Sequence, residues 1–188
     1  AHALTTYEQG LGDLFATRVK LDLPAVKTSE NVKHPALFLV DKSMSSNPEK
    51  FNIWLDMVEA VLEQNRDAIP TFNVMFFDVE TRAWQPSFVQ NDEKNIKKFR
   101  SFADNLSLQG ATDIGSALRA STRLIERDEA LAKDRVDLFL LSDGSITWGE
   151  GDAFLLTEGL KKKPWMGALF AYRTGLEGTD TGMLSHLS

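Results

Sequence analysis

Ala36-Leu37-Phe38-Leu39-Val40-Asp41-Lys42-Ser43-Met44-Ser45 is the stretch on which the reading of this chain turns. Five apolar residues run without a break into a carboxylate, and hydroxyls follow at alternate positions. An unbroken apolar run of this length predicts a strand covered on both faces, the usual state of a parallel strand inside an α/β sheet. Three further runs have the same character: Phe72–Phe77, Val136–Leu141 and Met166–Tyr172.

Helical patterns separate the runs. Asn47 and Pro48 fit the cap and first position of a helix, with Glu49 favourable to its dipole. Phe51, Trp54, Leu55, Val58, Val61 and Leu62 form its apolar stripe, in steps of three and four. A second stripe runs from Ile96 to Leu106, a third from Ile114 to Ile125, a shorter one over 153–160, and another begins near Thr181. Thr81–Gln85 follows the second run after an acidic turn and stops at Pro86, which fits an antiparallel edge strand. The expected fold is therefore a three-layer, doubly wound α/β domain. Its central sheet is mostly parallel with one antiparallel edge strand, and helices cover both faces. Residues 1–33 fit this scheme less well and are read as an N-terminal extension to a domain over 34–188. Within the extension, Tyr7–Thr17 is read as a helix and Arg18–Leu23 as an alternating strand.

The chain has 188 residues, 43% of them hydrophobic, enough for one such core. It has no Cys, which excludes disulfides, zinc thiolates and Cys nucleophiles but leaves the compartment open. A formal net charge of −6 disfavours a nucleic-acid partner. The basic triplet Lys161–Lys163 reads as a solvated helix end. No apolar run approaches the ~20 residues needed to span a bilayer, so direct membrane insertion is not expected. His2, His34 and His186 are scattered and do not suggest a shared site.

The chemistry gathers at strand ends. Asp41, Ser43 and Ser45 are hard oxygen donors, the kind that suit Mg²⁺, with Mn²⁺ or Ca²⁺ as alternatives. Ser142-Asp143-Gly144 follows another buried run. In an open parallel sheet, ligands bind beyond the carboxyl ends of strands where the strand order reverses. If those two strands are neighbours, Asp41 and Asp143 meet. Gly110-Ala111-Thr112-Asp113-Ile114-Gly115 opens a helix between them and offers the Thr112 hydroxyl, while Asp113 reads as that helix's cap.

Asp41-Lys42-Ser43-Met44-Ser45, the segment Gly110–Leu118 and Ser142-Asp143-Gly144 together resemble the metal-ion-dependent adhesion site of von Willebrand factor A domains, a Rossmann-like family. The resemblance covers about residues 34–188. It implies that Asp41, Ser43, Ser45, Thr112 and Asp143 hold Mg²⁺, leaving one position for an Asp or Glu of a protein partner. It implies a monomeric, non-enzymatic, metal-dependent adhesion or interaction module. The alternative is a scaffold subunit whose metal site is degenerate or structural. Arg18–Pro24 followed by this domain also resembles bacterial proteins that join it to a vault/inter-alpha-trypsin-type domain. The sequence departs from the family at Met44, where Gly is usual, and shows no final strand after the last helical pattern.

An enzymatic reading finds less support. A Mg²⁺-dependent phosphohydrolase of the haloacid dehalogenase type needs a second Asp where Ser43 stands. No Gly-x-x-x-x-Gly-Lys-Ser/Thr, strand-borne Gly-x-Gly-x-x-Gly or Gly-x-Ser-x-Gly is present.

Overall fold

The computed structural model describes residues 2–8, 12–18 and 32–172. The chain divides into two units, Ala1–Glu30 and Asn31–Ser188. In the first, β1 (His2–Glu8) pairs antiparallel with β2 (Gly12–Arg18), with Glu8 opposite Gly12. This corrects the reading of Tyr7–Thr17 as a helix. Gly10 and Gly12 each oppose helix propagation and favour a reversal of the chain. The β-branched Thr5, Thr6 and Thr17 favour extended backbone. Arg18 closes β2; the rest of the expected Arg18–Leu23 strand, like the helix near Thr181, lies outside the described residues.

In the second unit, β3 (Ala36–Asp41), β4 (Thr71–Phe77), β7 (Val136–Leu141) and β8 (Met166–Tyr172) are mutually parallel. β5 (Thr81–Ala83) is the expected antiparallel edge strand on β4. A two-residue strand not foreseen, β6 (Val89–Gln90), also pairs antiparallel with β4. The order is β5-β4-β3-β7-β8. After β3 the chain steps to one side through β4 and returns across β3 to β7. The strand order therefore reverses between β3 and β7.

Helices α1 (Pro48–Gln64) and α2 (Glu93–Ala103) cover one face, and α3 (Ile114–Arg127) the other. Alternation along β3 explains its continuous apolar run. Phe38 and Val40 pack with Trp54, Leu55 and Phe99, whereas Leu37 and Leu39 pack with Ile114, Ala117 and Leu124. Phe38, Phe139 and Phe170 stack across β3, β7 and β8 at centroid separations of 4.7 and 4.9 Å. The fourth helix, α4 (Ala153–Lys161), ends in Lys161, and Lys163 beyond it pairs with Glu126 at 2.8 Å. Among the described residues no helix is long and apolar enough to cross a membrane.

Candidate metal centre

β3 delivers Asp41 to the carboxyl edge of the sheet, and β7 delivers Ser142 and Asp143 beside it. Asp41 is fully buried. Its Oδ1 accepts from the Ser43 backbone N–H at 2.9 Å, and its Oδ2 accepts from the Ser142 hydroxyl at 2.7 Å. The first bond bends the chain just past the strand and directs Ser43 inward. Burial pushes the Asp41 carboxyl above its ordinary range, against the lowering effect of these hydrogen bonds, and the nearby Asp143 carboxylate adds to the rise.

The three candidate hydroxyls converge. Thr112 Oγ1 donates to Ser43 Oγ at 2.8 Å, and Ser43 Oγ lies 3.0 Å from Ser45 Oγ. Ser43 and Thr112 are buried and Ser45 is exposed, so the cluster opens to solvent on the Ser45 side. Thr112 is held by its backbone. Its N–H donates to Thr147 Oγ1 at 2.9 Å, and its carbonyl accepts from the Thr147 and Trp148 N–H groups, each at 3.2 Å. Asp113 caps α3 as expected, accepting from the Ser116 N–H at 2.7 Å.

Asp143 is buried. One of its oxygens accepts from the Ser145 N–H at 3.0 Å, in a turn that Gly144 makes at φ +78°. The other lies 3.6 Å from Lys50 Nζ. Lys50 did not emerge from the sequence pattern, and neither did Thr147. A second buried ion pair, Lys42 with Asp78, ties the Ser43 turn to the end of β4. Around it Lys42 O accepts from the Gln109 N–H at 3.0 Å, Asp78 O from the Asp113 N–H at 3.1 Å, and Gly110 O from the Met44 N–H at 3.1 Å.

Gly110 sits at φ +77°, a conformation costly for any residue with a Cβ. Gly110→Ala is expected to cost about 1–2 kcal/mol, a fall of about 2–8 °C in Tm for a chain of this size. A thermal melt with no fall would show that the loop relaxes freely.

The rim carries two exposed apolar side chains, Met44 and Trp148, with 68% and 64% of their surface accessible. Met44 therefore does not fill the turn. It projects outward from the position where the family usually has Gly. Among the described residues no three His, Asp or Glu side chains converge on a common point. The donor set at the β3/β7 edge is two carboxylates and three hydroxyls.

A family model described as the von Willebrand factor type A domain matches residues 36–145. Human inter-alpha-trypsin inhibitor heavy chain H4 is 33% identical over 120 residues, 61% of this chain and 13% of that protein. The bovine H4 chain is 28% identical over 132 residues, 67% of this chain and 14% of that protein. The chain thus spans about a seventh of the length of these relatives. Among solved structures, the SpRpn10 VWA domain superposes with a TM-score of 0.58 at 16% identity, covering 83% of this chain and 94% of that one. Proximal thread matrix protein 1 from the mussel byssus gives 0.57 at 16% identity, covering 84% and 41%. The matched span runs from β3 through the Asp143 turn and so takes in the whole strand-end cluster, and the fold agrees: the chain belongs to the von Willebrand factor type A domain family.

Proposed function

We propose that this domain is a metal-dependent protein-binding module. In this reading Asp41, Ser43, Ser45, Thr112 and Asp143 hold Mg²⁺, and an Asp or Glu of the partner completes the site. Domains of this family typically mediate protein–protein interaction and are generally not enzymes, which favours binding over turnover.

The observation that carries the reading is the spacing of the hydroxyls. Adjacent ligands of an octahedral shell with 2.0–2.1 Å bonds lie about 2.9 Å apart. Ser43 Oγ sits 2.8 Å from Thr112 Oγ1 and 3.0 Å from Ser45 Oγ. These are hydrogen-bond lengths, and because they also match two edges of such a shell the three hydroxyls can become ligands with little movement. The donor chemistry also fits a hard cation, because neither sulfur nor imidazole lies among these side chains. A bound divalent ion supplies a Lewis acid that accepts an external carboxylate. The protein's part is to fix the ligands. Ser43 N–H and the Ser142 hydroxyl orient Asp41, and Thr147 and Trp148 clamp Thr112. Met44 and Trp148 put apolar surface on the rim, where a partner's side chains flanking its acidic residue would rest.

Calorimetric titration of the metal-free protein with Mg²⁺ and Mn²⁺ tests this, repeated with sodium acetate as the carboxylate probe. Binding of one ion, tightened by acetate, is the expected result, since linkage is reciprocal between ion and carboxylate. Absence of binding into the millimolar range would overturn the reading. The observation favouring the alternative, a scaffold with a degenerate site, is the ammonium of Lys50 beside Asp143.

A further inference from the structure

We propose that Lys50 is the resident cation of this site: it neutralises Asp143 in the metal-free domain, lowers the affinity for a divalent ion, and raises the affinity of the loaded site for an external carboxylate. This deepens the proposed function and rests on it.

Two costs make Lys50 unusual where it stands. It is the third residue of α1, in a turn where the helix dipole disfavours positive charge. It is also only 6% exposed, and a buried ammonium is tolerated only when paired. A Leu or Met would fill a buried position on that stripe at neither cost. What offsets both is Asp143, whose Oδ2 lies 3.6 Å from Lys50 Nζ. The Lys50 backbone is fixed as well, its N–H donating to Asn47 Oδ1 at 3.0 Å. Side chain and helix end therefore hold the ammonium at the carboxylate that a metal would share.

The charge count gives the consequence. With Asp41 and Asp143 ionised and no metal, Lys50 leaves one negative charge uncompensated in a buried cluster. Without Lys50 there would be two. A divalent ion alone balances both carboxylates, so with Lys50 beside it the loaded site is left with one positive charge. An entering ion is repelled by the ammonium and competes with it for Asp143. Once the ion is bound, the same ammonium makes the site one carboxylate short of neutrality. Lys50 thus weakens binding of the metal alone and strengthens binding of metal and acidic partner together, making the two cooperative.

The test compares wild type with Lys50→Gln and Lys50→Arg over the whole 188-residue chain, titrating Mg²⁺ and Mn²⁺ with and without sodium acetate. Lys50→Gln is expected to bind Mg²⁺ about tenfold more tightly or better, because a like charge is removed from a poorly screened site, and to be tightened less by acetate than wild type. Lys50→Arg should behave as wild type. If wild type binds and Lys50→Gln binds equally or more weakly, Lys50 only positions Asp143; the inference falls and the metal reading stands. If wild type fails to bind and Lys50→Gln binds, Lys50 takes the metal's place in the natural chain, and the metal reading falls together with the claim that Lys50 strengthens carboxylate binding. Binding by neither overturns both. Should Lys50→Gln prove unfolded without metal, recovery of its circular dichroism on adding Mg²⁺ supports the inference. An unfolded state that Mg²⁺ does not rescue overturns it.

Discussion

Asp41→Asn is expected to abolish stabilisation by Mg²⁺ while leaving the metal-free domain about as stable as wild type at neutral pH. The sign of the second effect follows from burial. The Asp41 carboxyl titrates above the ordinary 3.8, chiefly because burial penalises its charged form. The folded state therefore holds that proton more tightly than the unfolded chain does. As pH rises from the unfolded value through the raised folded one, the group costs the fold stability, and that cost persists at neutral pH. Asparagine lacks the charge. Its carbonyl still accepts from the Ser43 N–H, and its amide can donate to Ser142 Oγ, whose hydroxyl rotates to suit. The metal-free variant should stay within about 1 kcal/mol of wild type or exceed it. The metal effect goes the other way. At an Mg²⁺ concentration about 100 times Kd, wild type gains about 2.7 kcal/mol. For a chain of this size that is a rise of about 5–10 °C in Tm. Asp41→Asn should show none of it, and Thr112→Ala should show little, because each removes a proposed ligand. Melts with and without Mg²⁺ decide the matter. A full shift in Asp41→Asn would remove that carboxylate from the site. A large loss of metal-free stability would mean the carboxylate is held more favourably than its burial suggests.

Much of this was legible because strand ends and helix starts leave local marks. The apolar runs of β3, β4, β7 and β8 have no polar face, so both sides had to be covered. That alone predicts helices on two faces. Asn47 with Pro48, and Asp113 before Ile114, marked helix starts that the hydrogen bonds to Lys50 N–H and Ser116 N–H realise. The hydroxyls of Ser43, Ser45 and Thr112 meet as the ordering of the segments suggested.

Less local features were harder to read. Lys50 looks like an ordinary polar residue beside the stripe that begins at Phe51. Its burial is set by Asp143, which is 93 residues away in sequence yet only 3.6 Å from its ammonium. The one available signal was a positive charge in the first turn of a helix, against the dipole. Thr147 and Trp148 lie in a loop without periodicity, and only the folded chain brings their N–H groups to Thr112. In the first unit, Gly10 and Gly12 were the signal against a helix over Tyr7–Thr17. The apolar residues there suit either period, and the glycines favour a chain reversal over a helix.

Asp78→Ala is expected to cost about 3–5 kcal/mol, because it leaves the Lys42 ammonium buried with no partner. Both side chains of this pair are nearly inaccessible, at 10% for Lys42 and 3% for Asp78. The carboxylate does more than neutralise. Its Oδ1 accepts from the Glu80 N–H at 2.6 Å and shapes the turn from β4 into β5, while its backbone carbonyl holds the Asp113 N–H. Lys42 in turn receives the Gln109 N–H and donates its own to Phe77 O at 2.8 Å. The pair thus pins the Ser43 turn and the Thr112 loop to the same strand end. Removing one member should loosen both loops as well as destabilise the fold. Mg²⁺ binding should weaken in Asp78→Ala even though Asp78 is not a proposed ligand. Denaturant unfolding of Asp78→Ala, Lys42→Met and the double variant separates these contributions. The double variant should be more stable than Asp78→Ala alone, since no orphan charge remains. It should nonetheless bind Mg²⁺ less tightly than wild type, because the Ser43 turn is then held to the end of β4 by backbone bonds alone. A cost below about 1 kcal/mol for Asp78→Ala would mean that Lys42 reaches solvent without its partner. The site would then depend on the strand ends alone.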